Sequence, residues 1–192
     1  MAISAGKKSI VYLWLKWDEL FHLMFRLRLV DENRPMFYYR ICAYRGPVIT
    51  LPGGEVIAKG DRVVELHFNN RMLVGMAAAS RSSVHLAVQL IRNARDVLPA
   101  IADKLSGDPA YHGVKGVYGI TMIHRGTEQL GFTQADLPGR WLVWIMGLYL
   151  RGLLSGLHSA GKMRLRENPE ANVPKVIVMS ARELVQRYAA KG

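Results

Sequence analysis

The chain has 192 residues, half of them hydrophobic, which suits one domain with a sizeable core. Its 26 Lys and Arg against 15 Asp and Glu give a formal charge of +11, which fits either a polyanionic partner (phospholipid headgroups, nucleic acid, an anionic polymer) or a solvated basic face. A single cysteine, Cys42, excludes an internal disulfide framework and a thiolate metal cluster.

Lys7 and Lys8 precede an apolar stretch at the N-terminus. Residues 10–30 nevertheless carry Lys16, Asp18, Glu19, His22, Arg26 and Arg28, and no small-residue cleavage site follows. Neither a secretion signal nor a spanning helix is expected, which points to the cytoplasm or the inner face of its membrane. Residues 10–29 instead read as an amphipathic helix. Glu19, His22 and Arg26 share one stripe, while Leu13, Trp17, Leu20, Phe21, Met24 and Leu27 fill much of the rest. So wide an apolar sector suits burial or a membrane surface.

After a polar turn at 31–35, residues 36–44 read as a strand, broken by Arg45-Gly46-Pro47. Cys42 in this stretch reads as a small core residue rather than a nucleophile. Short strands at 48–51 and 55–58 flank Pro52-Gly53-Gly54, a hairpin signal, and 62–68 follows the turn Lys59-Gly60-Asp61. The stretch 36–68 is thus an antiparallel meander. A helix over 82–105 is marked by Val84, Val88, Ile91, Leu98, Ile101 and Leu105, capped by Ser80, Ser82 or Ser83, with a kink or break at Pro99. A glycine-interrupted strand over 114–124 ends at Arg125-Gly126, and a helix or irregular turn runs on to Phe132. Residues 141–157 have one charge, Arg151, and predict a core or interfacial helix within 140–161. A last strand at 173–179 leads into a terminal helix, with Ser180 and Glu183 as its capping box. The expected fold is α+β: a single domain with a mostly antiparallel sheet of short strands packed by three to five helices.

The candidate site is the run Gly-Asp-Arg-Val-Val-Glu-Leu-His-Phe-Asn-Asn at 60–70. Strand alternation puts Glu65, His67 and Asn69 on one face and Val64, Leu66 and Phe68 on the other. Glu65 can orient His67 as an acid/base, with Asn69 or Asn70 holding a substrate hydroxyl. The competing reading is an ordinary polar strand face ending in an Asn-Asn turn. His124 and Arg125 form a second candidate: Arg125 offers a planar donor fork to an anion, and His124 can approach His67 if their strands are neighbours. An ordinary strand-to-loop transition is the preferred reading of those two residues.

No metal site is expected, because the histidines at 22, 67, 85, 112, 124 and 158 include no i, i+4 pair. Nor is a cofactor: no phosphate-binding glycine loop is present, and Ser155 lacks the glycine of a nucleophile elbow. Trp14, Trp17, Phe21, Phe25, Trp141 and Trp144 lie near Lys16, Arg26, Arg28, Arg140, Arg151, Lys162, Arg164 and Arg166. That pairing suits an anionic membrane interface or two core helices with snorkelling basic flanks. It suits nucleic acid less well, since the aromatics sit on helical stretches rather than across a sheet face.

The run 60–70, with Ser80–Ser83, Gly119-Ile120-Thr121, Arg125-Gly126 and Leu130-Gly131-Phe132, resembles the YkoP-like family of small bacterial domains over roughly residues 10–135. These domains occur alone or attached to polysaccharide deacetylases. The resemblance implies a setting in envelope polysaccharide or glycolipid metabolism, and no reaction. Deacetylases use an Asp with two closely spaced metal-binding histidines, a pair that is missing here. The expected function is therefore an accessory or ligand-binding domain for an anionic lipid, glycolipid or glycan intermediate. A small hydrolase or transferase built on Glu65, His67 and Asn69 is the alternative, and nucleic-acid binding through the basic surface is a third.

Overall fold

The computed structural model describes Lys16, Leu20 and residues 22–121, 124–137 and 173–189. The apolar segment at 141–157, its basic flanks and most of the stretch 10–21 lie outside these residues. Lys16, Leu20 and residues 22–24 are helical, as the periodicity predicts. The helix does not reach residue 29, however. Arg26 takes a left-handed conformation (φ 50°) and turns the chain. Arg28–Leu29 then forms β1, which pairs antiparallel with Tyr38 and Tyr39.

The strands that follow are β2 (Phe37–Ala43), β3 (Ile49–Thr50), β4 (Val56–Ile57) and β5 (Arg62–Phe68). β3 and β4 form a separate two-stranded hairpin closed over Pro52-Gly53-Gly54, where Gly54 supplies the positive φ of 78°. β2 and β5 pair antiparallel along their full length, from Phe37 opposite Phe68 to Ala43 opposite Arg62. The antiparallel strands expected over 36–68 are present, but β2 pairs directly with β5 and the hairpin between them is a sheet of its own, so they do not form one continuous meander.

Two helices follow: α1 (Asn70–Ala79) and α2 (Ser83–Gly107). α1 replaces the turn expected at Asn69-Asn70. Asn69 is its N-cap, accepting from the Met72 amide at 3.3 Å and donating its own amide to the Pro35 carbonyl at 2.7 Å. Asn→Asp-type turn residues and N-caps look alike in sequence, and the helix-forming run after Asn70 decides for the cap. Asn69→Ala should lower stability by about 1–2 kcal/mol, since it removes a cap and a 34-residue tie to the chain before β2. Urea denaturation measures this, and an unchanged midpoint would refute the capping role.

α2 starts at Ser82, whose hydroxyl accepts from the His85 amide at 3.0 Å. It runs as one helix of 25 residues through Pro99, so of the kink or break expected there the break does not occur. Val97, Leu98, Ile101 and Ala102 surround Pro99 and are almost fully buried, so core packing holds the helix together where its backbone ladder loses a donor. β6 (Val114–Thr121), β7 (Thr133–Asp136), β8 (Lys175–Ser180) and α3 (Ala181–Tyr188) follow, with short 3-10 turns at Pro109–Tyr111 and Thr127–Leu130. Ser180 caps α3 by accepting from the Glu183 amide at 3.0 Å, as its sequence signature predicts.

Among the described residues one six-stranded sheet has the order β1-β2-β5-β6-β8-β7. Its pairs are antiparallel except β5–β6, which is parallel because α1 and α2 cross over between those strands. On one face Val64, Leu66, Val117 and Met179 pack against α2 and Leu184 of α3. On the other, Val63, Val176 and Val178 pack under Tyr44, Ile49, Leu51 and Ile57 from the hairpin region, with Leu137. The fold class is α+β, as expected. Among the described residues no helix is long and apolar enough to cross a membrane.

Candidate functional site

The alternation in β5 sends Val64 and Leu66 into the core beneath the helices, and Glu65 and His67 to the opposite face. Antiparallel register then brings β2 alongside: Tyr38 opposite His67, Arg40 opposite Glu65, Cys42 opposite Val63. The parallel register with β6 puts Tyr118 beside Glu65. Glu65 is thus the centre of a polar row across three strands.

Arg40 Nε donates to Glu65 Oε2 in a close ion pair. His67 Nε2 lies 3.6 Å from the same oxygen, and Cys42 Sγ lies 3.5 Å from it. The side chains of Glu65, His67 and Arg40 are 13%, 24% and 27% exposed, so each presents some surface to solvent, while His67 Nε2 itself is buried. Aromatic rings flank them. The Phe25 ring lies 4.5 Å from the Arg40 guanidinium, the His22 ring 4.0 Å from Tyr38, and Tyr118 meets Tyr44 edge-on at 5.4 Å.

Burial alone would raise the pKa of Glu65, but His67 and the Arg40 hydrogen bond overturn that and hold it at about 2. Glu65 is therefore a carboxylate at neutral pH, able to accept and unable to serve as a general acid. Burial and the Glu65 charge push the Cys42 thiol up, which keeps it protonated and a poor nucleophile. The same two causes raise the Tyr118 phenol, which stays a neutral donor. The cluster combines one fixed anion, one guanidinium with further N–H groups, a histidine and a phenol. This is chemistry for recognising hydroxyl and carboxyl groups.

The other sequence candidates are placed apart from this centre. Asn69 serves as the α1 cap with both polar atoms on backbone partners, and Asn70 opens that helix. β5 and β6 are neighbours, as the His124 argument requires, but His124 lies beyond the end of β6. Its carbonyl accepts from the Thr127 hydroxyl at 2.6 Å and from Gln134 of β7 at 2.8 Å, on the far side of β8. The His124 ring is buried, and among the described residues neither nitrogen has a hydrogen-bond partner. Burial, then the Lys175 and Arg125 charges, push its pKa below the usual histidine range. Arg125 is exposed in the turn that follows. Among the described residues no three His, Cys, Asp or Glu side chains are grouped to hold a metal ion.

Sequence reasoning missed Arg40, Tyr38 and Tyr118 as members of the site. A signal for Arg40 exists: it is the one charged residue in Phe-Tyr-Tyr-Arg-Ile-Cys-Ala, on the same strand face as Tyr38. Its partner stands 25 residues away, and only the strand register reveals it. Across the sheet an apolar cavity of about 40 Å³ is walled by Phe37, Leu66, Phe68, Ile91, Leu98 and Phe132, and it offers mainly van der Waals contact.

Comparison with known proteins places these features in a family context. The family model described as the YkoP domain matches residues 7–188. A relative from Bacillus subtilis (strain 168), the uncharacterized protein YkoP, is 28% identical over 127 residues, covering 66% of this chain and 69% of that protein. No solved structure matches the chain.

Proposed function

The chain belongs to the YkoP domain family, and on that footing we propose that it is a ligand-binding domain for a glycan or glycolipid headgroup of the bacterial envelope. The observation that carries this reading is the Arg40–Glu65–His67 cluster, reachable from solvent on a sheet face and flanked by Tyr38, His22, Phe25 and Tyr118. A sugar presents hydroxyls to charged donors and acceptors and an apolar C–H face to aromatic rings. Binding sites in general pair apolar and aromatic walls with a few fixed polar groups. The Arg40 ion pair holds both partners in place before a ligand arrives, which reduces the ordering cost of binding. The envelope setting rests on the association of YkoP-like domains with polysaccharide deacetylases.

A second reading is a hydrolase or transferase with His67 as acid/base and Glu65 as its orienter, favoured by their 3.6 Å approach. One calorimetric titration addresses both. The probes are an N-acetylglucosamine tetramer and a peptidoglycan digest, with the products analysed afterwards. Wild-type protein is expected to bind one of them saturably, and Arg40→Lys, which keeps the charge and loses the fork, to bind about tenfold more weakly. Absence of binding, or equal binding by Arg40→Lys and His67→Gln, would remove the recognition reading. Cleaved or transferred product that depends on His67 would favour the second.

A further inference from the structure

We propose that the helical stripe of Lys16, Leu20, Leu23 and Met24 docks the domain on an anionic bilayer surface. The docking surface stands on observations separate from the ligand reading.

The first is exposure. Leu20, Leu23 and Met24 are 52%, 77% and 58% exposed. Single exposed apolar residues are ordinary, whereas a grouped set marks a contact surface. Positions 16, 20, 23 and 24 follow i, i+4, i+7 and i+8, which puts them on one side of a helix. The second is charge. Lys16 and Arg26 are exposed at the two ends of this segment, within a chain of net charge +11. An apolar stripe edged by Lys and Arg fits the boundary between anionic headgroups and acyl chains. Each basic residue near such a surface strengthens binding about fivefold.

The third observation is what the same turn touches on its other side. His22 stacks on Tyr38, and Phe25 lies against the Arg40 guanidinium. The segment that displays Leu23 and Met24 outward therefore borders the binding cluster inward. A bilayer at this stripe would lie on the far side of the helical segment from Arg40 and Glu65.

A second copy of the chain is a poorer occupant. Three side chains display on the order of a few hundred Å², against the roughly 800 Å² per partner of a stable interface. A two-fold copy would also set Arg26 near its own counterpart, and like charges so placed oppose association.

The test is co-sedimentation of the full chain with vesicles of phosphatidylcholine alone and of phosphatidylcholine with about a third phosphatidylglycerol. Wild type is expected to sediment with the anionic vesicles and stay in solution with the neutral ones. Leu23→Asp combined with Met24→Asp should weaken that binding at least tenfold. Arg26→Gln should weaken it by about fivefold. Val48→Asp is the control, because Val48 is equally apolar and 64% exposed but sits beside the β3–β4 hairpin. It should bind like wild type. Equal recovery of wild type with both vesicles, unchanged binding of the Leu23/Met24 variant, or an equal loss with Val48→Asp would each overturn the proposal. So would a Leu23-dependent dimer in size-exclusion chromatography. The Leu23/Met24 variant is expected to keep wild-type affinity for a soluble glycan. A loss there would trace the effect to the binding cluster and overturn the docking role, whereas failure of wild type to bind any glycan leaves the vesicle result standing and removes only the ligand reading.

Discussion

Glu65→Gln is expected to cost about 2–3 kcal/mol of folding stability at pH 7, and that cost should vanish in acid. Glu65 sits between Arg40 and His67 with its pKa lowered from 4.5 to about 2. A shift of that size corresponds to about 3 kcal/mol. Some hydration of a side chain that remains 13% exposed reduces it. The substitution also strands the Arg40 guanidinium without its anion, and removing one partner of a buried pair is usually costlier than the pair is beneficial. The sign follows from the depressed pKa. The folded protein binds the Glu65 proton more weakly than the unfolded chain, so the stabilisation is complete above about pH 4.5 and disappears as pH falls through about 2. Urea denaturation of wild type and variant at pH 7, near pH 4 and near pH 2 measures it. A variant as stable as wild type at pH 7, or a deficit that does not change with pH, would show that Glu65 is not held as a paired carboxylate.

Gly116→Ala is expected to destabilise the domain by about 3 kcal/mol or more. A Cβ at Gly116 would stand 2.5 Å from the Met179 carbonyl oxygen and 2.8 Å from Ile57 Cδ1. Ile57 can turn away, but Met179 is backbone in β8, paired with β6 from Gly116 to Thr121. Relief requires moving one strand of a central ladder that also aligns Tyr118 beside Glu65. Gly119→Ala should cost less, about 1 kcal/mol, because its nearest contact is the Leu66 carbonyl at 3.2 Å. Thermal or urea unfolding of the two variants compares them. A Gly116→Ala protein within 1 kcal/mol of wild type, or the reverse order of the two variants, would contradict this packing.

These two residues also show what the sequence made legible. The alternation in Arg62–Phe68 placed Glu65 and His67 together on the face away from the helices, because one strand face is all that this inference needs. The partners of Glu65 were not legible. Arg40 and Tyr118 reach it through strand pairing, and register is a property of the folded sheet. The glycines of the sixth strand were visible as interruptions, but the close approach that requires Gly116 was not. α1 was missed because two asparagines after a strand favour a turn as readily as a cap. β7, Thr-Gln-Ala-Asp, has no apolar alternation and exists through its pairing with β8. Pro99 illustrates the opposite case: a local signal for a kink or break does not end the helix, because the buried residues around it hold it together.

The placement of Glu65 has a consequence for chemistry. A carboxylate held at about 2 beside a guanidinium is a fixed recognition charge, and the neighbouring Cys42 is kept as a thiol. Both features favour binding over covalent catalysis.

The most direct measurement is an NMR titration of isotopically labelled protein, reading the Arg40 Nε and His67 ring resonances as the N-acetylglucosamine tetramer or the peptidoglycan digest is added. Glycan recognition by the Arg40–Glu65–His67 cluster requires saturable shifts centred on Tyr38, Arg40, Glu65 and His67. Shifts confined to the opposite face, around Phe68 and Ile91 of the apolar cavity, or none at saturating probe, would contradict it.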